Sequence, residues 1–254
     1  MAQLLRADLV ARAYVPDPET RALRELLRYR AFLVDIRRAV KERIYALLDR
    51  FCLRPPVATL FSRRGLEWLH SLPLSGPYGE ELLGLLRLPG ALAAELEAVA
   101  RRVQERARGD PRALLLATIP GVGYHTALLV LAGIGDISRF PSARHLGSYA
   151  GLVPSACASG GKVRHGAITR HGSRFLRWAL VEAARQAVRT SGPLGDFYRR
   201  LLAGKGAQQA RVAAARKLCA AVYWMLVTDR TFKEVEPYLA PRGQASSAPF
   251  MASR

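Results

Sequence analysis

Ser159 lies in the stretch Pro154-Ser155-Ala156-Cys157-Ala158-Ser159-Gly160-Gly161-Lys162-Val163-Arg164-His165, where one hydroxyl is followed by two glycines and then by positive charge. That combination suits attack on a phosphodiester. Gly160 and Gly161 carry no Cβ, so a bulky anion can approach the backbone, while Lys162, Arg164 and His165 can offset phosphate charge around an attacking Ser159. The same run also reads as an ordinary solvated turn. Ser155 is the nearest competing hydroxyl, without flanking glycines.

Several elements must position this run. Upstream, residues 113–118 read as an apolar helix, Pro120-Gly121-Val122-Gly123 as a tight turn, and residues 124–132 as a second apolar helix. In a helix-hairpin-helix of this kind, Gly121 and Gly123 permit positive φ, so that backbone N–H groups at a helix start can hold a phosphate oxygen without reading sequence. The alternative is a turn that merely joins two packed helices. Residues 138–150 read as a short helical segment, and the Ser159 run as a loop. Downstream, Ser173 is placed to cap a helix that begins near Arg174. Projected at ~100° per residue, Arg174, Arg177, Arg185 and Arg189 fall within roughly a 120° sector, an arginine stripe suited to tracking phosphates. Residues 207–227 form a long Ala-rich helix that reads as core.

The N-terminal half is different in kind. Leu26, Leu33, Val40 and Leu47 recur at heptad spacing over residues 18–52, with Leu23, Tyr29, Ile36 and Ile44 filling the adjacent stripe. Helical spacing resumes over residues 80–88 and 91–108, where Leu92, Leu96, Val99 and Val103 share one side and Pro89-Gly90 should break or kink the helix. Two amphipathic helices joined by a connector predict an antiparallel arm, packed on itself or used for self-association. The expected architecture is therefore mainly α: a long helical coiled-coil arm over residues 18–110, then a compact helical domain with a helix-hairpin-helix over residues 111–240. Residues 1–17 read as the remnant of a preceding helix and residues 241–254 as a disordered tail.

Composition points to a polyanionic partner. In 254 residues, 39 Lys plus Arg face 20 Asp plus Glu, a formal charge of +19. Cys52, Cys157 and Cys219 are widely separated and match neither a disulfide framework nor a zinc site, so no metal site is expected in this chain and a reducing cytoplasm fits best. No apolar run reaches the ~18 residues of a membrane span.

The order of five motifs carries a resemblance: Ile119-Pro120-Gly121-Val122-Gly123, Gly135-Asp136-Ile137-Ser138-Arg139-Phe140, Tyr149-Ala150-Gly151-Leu152-Val153-Pro154, Ser159-Gly160-Gly161-Lys162 and Ile168-Thr169-Arg170-His171-Gly172. Over residues 111–238 this resembles the C-terminal transposase domain of the Piv-type insertion-sequence transposases, or bridge recombinases, and residues 4–52 look like that family's linker and coiled coil. The resemblance implies a DNA recombinase that cuts and rejoins strands by transesterification, with Ser159 at the position of the serine that becomes joined to DNA. The glycine geometry and basic density make Gly121, Gly123, Gly160, Gly161, Lys162, Arg164, Arg170, Arg174 and Arg177 the expected DNA contacts. The resemblance also implies DNA as partner, a guide RNA in some members, self-association, and Mg²⁺ held by three Asp and one Glu of an N-terminal RNase-H-like domain. Here Met1-Ala2-Gln3-Leu4-Leu5-Arg6 begins inside the helix that follows those acids, so an N-terminally truncated transposase, inactive alone, is expected, with no cofactor of its own. The competing reading is a non-catalytic helix-hairpin-helix nucleic-acid-binding protein, and a third is a structural coiled-coil protein.

Overall fold

A computed structural model describes residues 3, 6, 7, 14–159, 162–169 and 172–239. The protein is mainly helical, as its periodicities predict, and divides into two compact units: Leu26–Glu105, and Met1–Glu25 together with Arg106–Arg254. Among the described residues no helix is long and apolar enough to cross a membrane.

The helices are α1 (Pro18–Arg50), α2 (Arg63–His70), α3 (Pro77–Arg108), α4 (Pro111–Leu116), α5 (Tyr124–Ile134), α6 (Ala143–Tyr149), α7 (Arg174–Ala187), α8 (Pro193–Lys205), α9 (Ala207–Thr228) and α10 (Phe232–Val235). Strands β1 (Pro154–Ser159) and β2 (Lys162–Ile168) lie between α6 and α7.

In the Leu26–Glu105 unit, α1 and α3 run antiparallel. Tyr29 donates a hydrogen bond to Glu95 at 3.1 Å and Arg43 pairs with Glu81, two contacts whose residue numbers share one sum, as antiparallel neighbours require. Val40, Ile44, Leu47 and Leu48 of α1 form a core with Leu60, Leu69 and Leu82. The heptad is only partly followed: Leu27 is buried where the spacing points to Leu26. The expected break at Pro89-Gly90 is also corrected, because α3 continues through Pro89. Apolar side chains on both sides of the proline, Leu82 before it and Val99 and Val103 after it, are buried, and that burial outweighs one missing backbone bond. Replacing Pro89 by alanine is expected to restore that bond and stabilise this unit by ~1–3 kcal/mol, read as a higher midpoint in thermal unfolding followed by circular dichroism.

The other unit is built around α9. Its alanines at 210, 214, 215 and 221 are fully buried, and α4, α6, α7, α8 and α10 all pack against it. Small side chains let these helices approach closely, so the expectation of a core helix holds. Cys219 shares this burial, which pushes its thiol up to about 12 and makes it a packing residue rather than a nucleophile. Helix α5 crosses α7 just as tightly: a Cβ on Gly133 would stand 2.8 Å from that of Leu176.

The sequence reading of a loop around Ser159 is corrected by the structure, in which β1 and β2 form an antiparallel hairpin. Pro154 pairs with Ile168 and Ser159 with Lys162, and one extra residue of β2 bulges opposite Ser155. Gly160 and Gly161 separate the strands in sequence, a signal for a two-residue hairpin. The run Ser-Ala-Cys-Ala-Ser concealed it, because small residues give almost no alternation between apolar and polar.

Candidate functional site

Ser159 ends β1 and is exposed at the far end of the hairpin from its base at Pro154 and Ile168. Five strand steps at ~3.3 Å each place it ~17 Å from that base. Arg164 is exposed on β2, two residues beyond the partner of Ser159, so the two share one face and lie on a diagonal that an arginine can span. The side chain of Ser155 is committed elsewhere: its hydroxyl donates to the Ala167 carbonyl at 3.0 Å, across the bulge. A Cβ on Gly166 would stand 2.6 Å from that hydroxyl oxygen, so the bulge is built for Ser155 as a structural residue. The two serines of the hairpin thus have different surroundings.

A two-stranded ribbon is marginal alone, so its base must be anchored. The Thr169 amide donates to the Val153 carbonyl at 2.9 Å, and Arg177 reaches the Ala150 carbonyl at 3.4 Å. Gly172 has φ +93°, and a Cβ there would overlap the Tyr149 carbonyl oxygen. Tyr149 is in turn held by Arg139, whose guanidinium lies 4.3 Å from its ring centroid and 4.2 Å from those of Tyr14 and Phe140. Arg139 also donates to the Ile134 carbonyl at 3.2 Å. Three of the sequence motifs thus meet at one junction beneath the hairpin. Arg139 is a positioning residue that charge alone could not separate from a phosphate contact, since its partners are rings distant in sequence.

Helix α7 then separates two regions. At its N-terminal end Ser173 accepts a hydrogen bond from the Leu176 amide at 3.2 Å, as expected of a cap, and Arg174 is exposed. Phe175 and Trp178, 46% and 52% exposed, stand beside it as surfaces on which unpaired bases could stack. At the C-terminal end the α4–α5 turn packs against Gln186. Gly121 has φ +77° there, and a Cβ on it would overlap the Cβ of Gln186. Gly123 precedes α5 with no side chain to cap its first N–H groups. Arg185 is on this end of α7, whereas Arg189 lies past the end of the helix and donates to Gln186 at 3.3 Å. The turn and Arg174 therefore mark opposite ends of α7, about 18 Å apart at ~1.5 Å per residue.

The side chain of Lys162 and the residues Gly160, Gly161 and Arg170 lie outside what the structure describes. Arg174 and Arg177 also differ in use. Arg174→Gln is expected to weaken binding to unrelated duplexes a few-fold with an unchanged melting temperature, whereas Arg177→Gln should lower that temperature as well, because it removes the link to Ala150. Anisotropy titration and thermal melts on both variants check this.

Among the described residues no three His, Cys, Asp or Glu side chains cluster closely enough to hold a metal ion. Asp136, the acid of the second motif, accepts from the Ser138 hydroxyl at 2.6 Å and its amide at 2.9 Å, and those bonds hold its carboxyl below the usual range. It caps a turn.

Residues 113–199 match the family described as Transposase IS116/IS110/IS902. A probable family 20 transposase of Pseudomonas aeruginosa is 32% identical over 86% of this chain and 67% of its own length. The chain belongs to the IS116/IS110/IS902 transposase family. It is also similar to the transposase for insertion sequence element IS1328 of Yersinia enterocolitica, 30% identical over 84% of this chain and 65% of the relative. A pilin gene-inverting protein of Moraxella bovis is 39% identical over 48% of the chain and 38% of its own length. The chain thus spans about two thirds of the first two relatives. The family match covers the hairpin, its anchoring junction apart from Tyr14, and the whole of α7.

Proposed function

We propose that this protein is a DNA transposase or recombinase that uses Ser159 as its strand-transfer nucleophile. The observation that carries the reading is the contrast between the two hairpin serines: Ser155 is bonded to Ala167, while Ser159 stands exposed at the tip with Arg164 on its face. In the step proposed, the Ser159 oxygen bonds to phosphorus, the P–O bond to one nucleotide breaks, and that oxygen leaves as a hydroxyl. A phosphoserine link conserves the bond energy, and attack by another strand's hydroxyl reverses it. Arg164 offsets charge on the phosphate oxygens during both displacements. In this reading the exposed tip serves as one half of a composite site, completed when a second surface closes on it. Guide RNA and self-association belong to this proposal as family properties.

Denaturing electrophoresis after incubation with insertion-element DNA and a relative's acidic domain tests it. A protein–DNA adduct whose peptide maps to Ser159 is expected; an adduct mapped to any other residue sinks the assignment. A second reading, a non-catalytic helix-hairpin-helix DNA-binding protein, draws support from the α4–α5 turn with positive φ at Gly121. It predicts sequence-independent binding and no adduct.

A further inference from the structure

The C-terminal end of α7 opens on a cleft of about 370 Å³ lined by Arg185, Val188, Arg189, Tyr198, Arg199 and Arg211, drawn from α7 and its end, α8 and α9. Four guanidinium groups share this concavity. Glu182 pairs with Arg185 at 2.6 Å and Asp196 with Arg199 at 2.5 Å, but among the described residues no carboxylate pairs with Arg189 or Arg211. Glu182 and Asp196 offset two of the four charges; the two that remain favour an anion in the hollow, and low-dielectric walls focus their field into it. Guanidinium is also the group whose planar donors match phosphate oxygens two at a time, and the Tyr198 hydroxyl adds one more donor. With Val188 the sole aliphatic lining residue, the cleft is unsuited to an apolar ligand.

We propose that this cleft grips the DNA backbone about five nucleotides from the phosphate that Arg174 contacts. The inference rests on the DNA reading above, though not on Ser159 being the nucleophile. Its position favours a polymer over a single phosphate. Exposed Arg174 occupies the other end of the same helix, ~17 Å away, and the α4–α5 turn touches Gln186, the residue that holds Arg189. At 3.4 Å per nucleotide along one strand, that separation corresponds to about five nucleotides.

The test uses the full chain and a short duplex of unrelated sequence, with anisotropy titrations over a series of salt concentrations and no metal. The Arg189→Gln/Arg211→Gln variant is expected to bind about tenfold more weakly and to lower the slope of log K against log salt by ~2, one phosphate contact per lost charge. Arg189→Lys/Arg211→Lys keeps the charge and should keep the slope, which decides the matter if the Gln variant does not fold. Arg63→Gln in α2, an exposed residue paired with Glu67, should leave both quantities unchanged. An unchanged slope in the Gln variant, or an equal loss in the Lys variant, overturns the proposal. So does a loss seen only with RNA of the same length, or displacement of the duplex by inorganic phosphate at matched ionic strength. Ser159→Ala should bind with the wild-type slope, so a failed nucleophile and a failed cleft give different results.

Discussion

Ser159→Ala is expected to reduce the protein–DNA adduct by at least ~10³-fold, the order of loss that follows deletion of a covalent nucleophile. Because Ser159 is exposed and ends its strand, the melting temperature should stay within about a degree or two of the wild-type value. Ser155→Ala should behave in the opposite way. It removes the bond to the Ala167 carbonyl beside the bulge, costing ~0.5–1.5 kcal/mol of stability, yet it should retain adduct within about tenfold because the attacking oxygen is intact. Adduct yield on denaturing gels and thermal melts of both variants give the four values needed. Wild-type adduct in Ser159→Ala, or its complete loss in Ser155→Ala alone, would transfer or remove the nucleophile.

Gly172→Val is expected to be the most destabilising single change near the site. Two costs add. At φ +93° a β-branched residue is strained, by ~1–3 kcal/mol, and its Cβ would overlap the Tyr149 carbonyl oxygen. That oxygen cannot retreat easily, because the ring of the same residue is held by Arg139. Together these should cost ~3–5 kcal/mol, which lowers the melting temperature by ~8–15 °C in a domain of this size. Adduct formation should fall with it even where the protein remains folded, since the hairpin base is displaced. A variant with wild-type melting temperature and wild-type adduct would show that the junction does not position Ser159.

Local chemistry was well read from the sequence wherever an interaction closes within one helical turn. Ser173 caps α7, the alanines of α9 are core, and the heptad region forms helices, because caps and periodicity depend on neighbours a few residues away. The α3 helix shows where this fails: Pro89 is a local breaker that burial on both sides overrides. The hairpin marks a second failure. Its only local signal was Gly160-Gly161, and small residues masked the alternation.

By itself the sequence determined the helical class, the positive charge, the order of motifs and the choice of Ser159 as the residue to test. The tertiary structure added the reason Ser155 is unsuited, because its hydroxyl is held by one hydrogen bond to Ala167 across a bulge. It likewise turned Arg139 into a clamp on three rings and gathered Arg199 and Arg211 with Arg185 and Arg189 around one cleft. Those roles arise from contacts between residues far apart in the chain, and which residues meet is decided by how the helices pack around α9. A sequence lists the charged groups; packing decides which of them face one another.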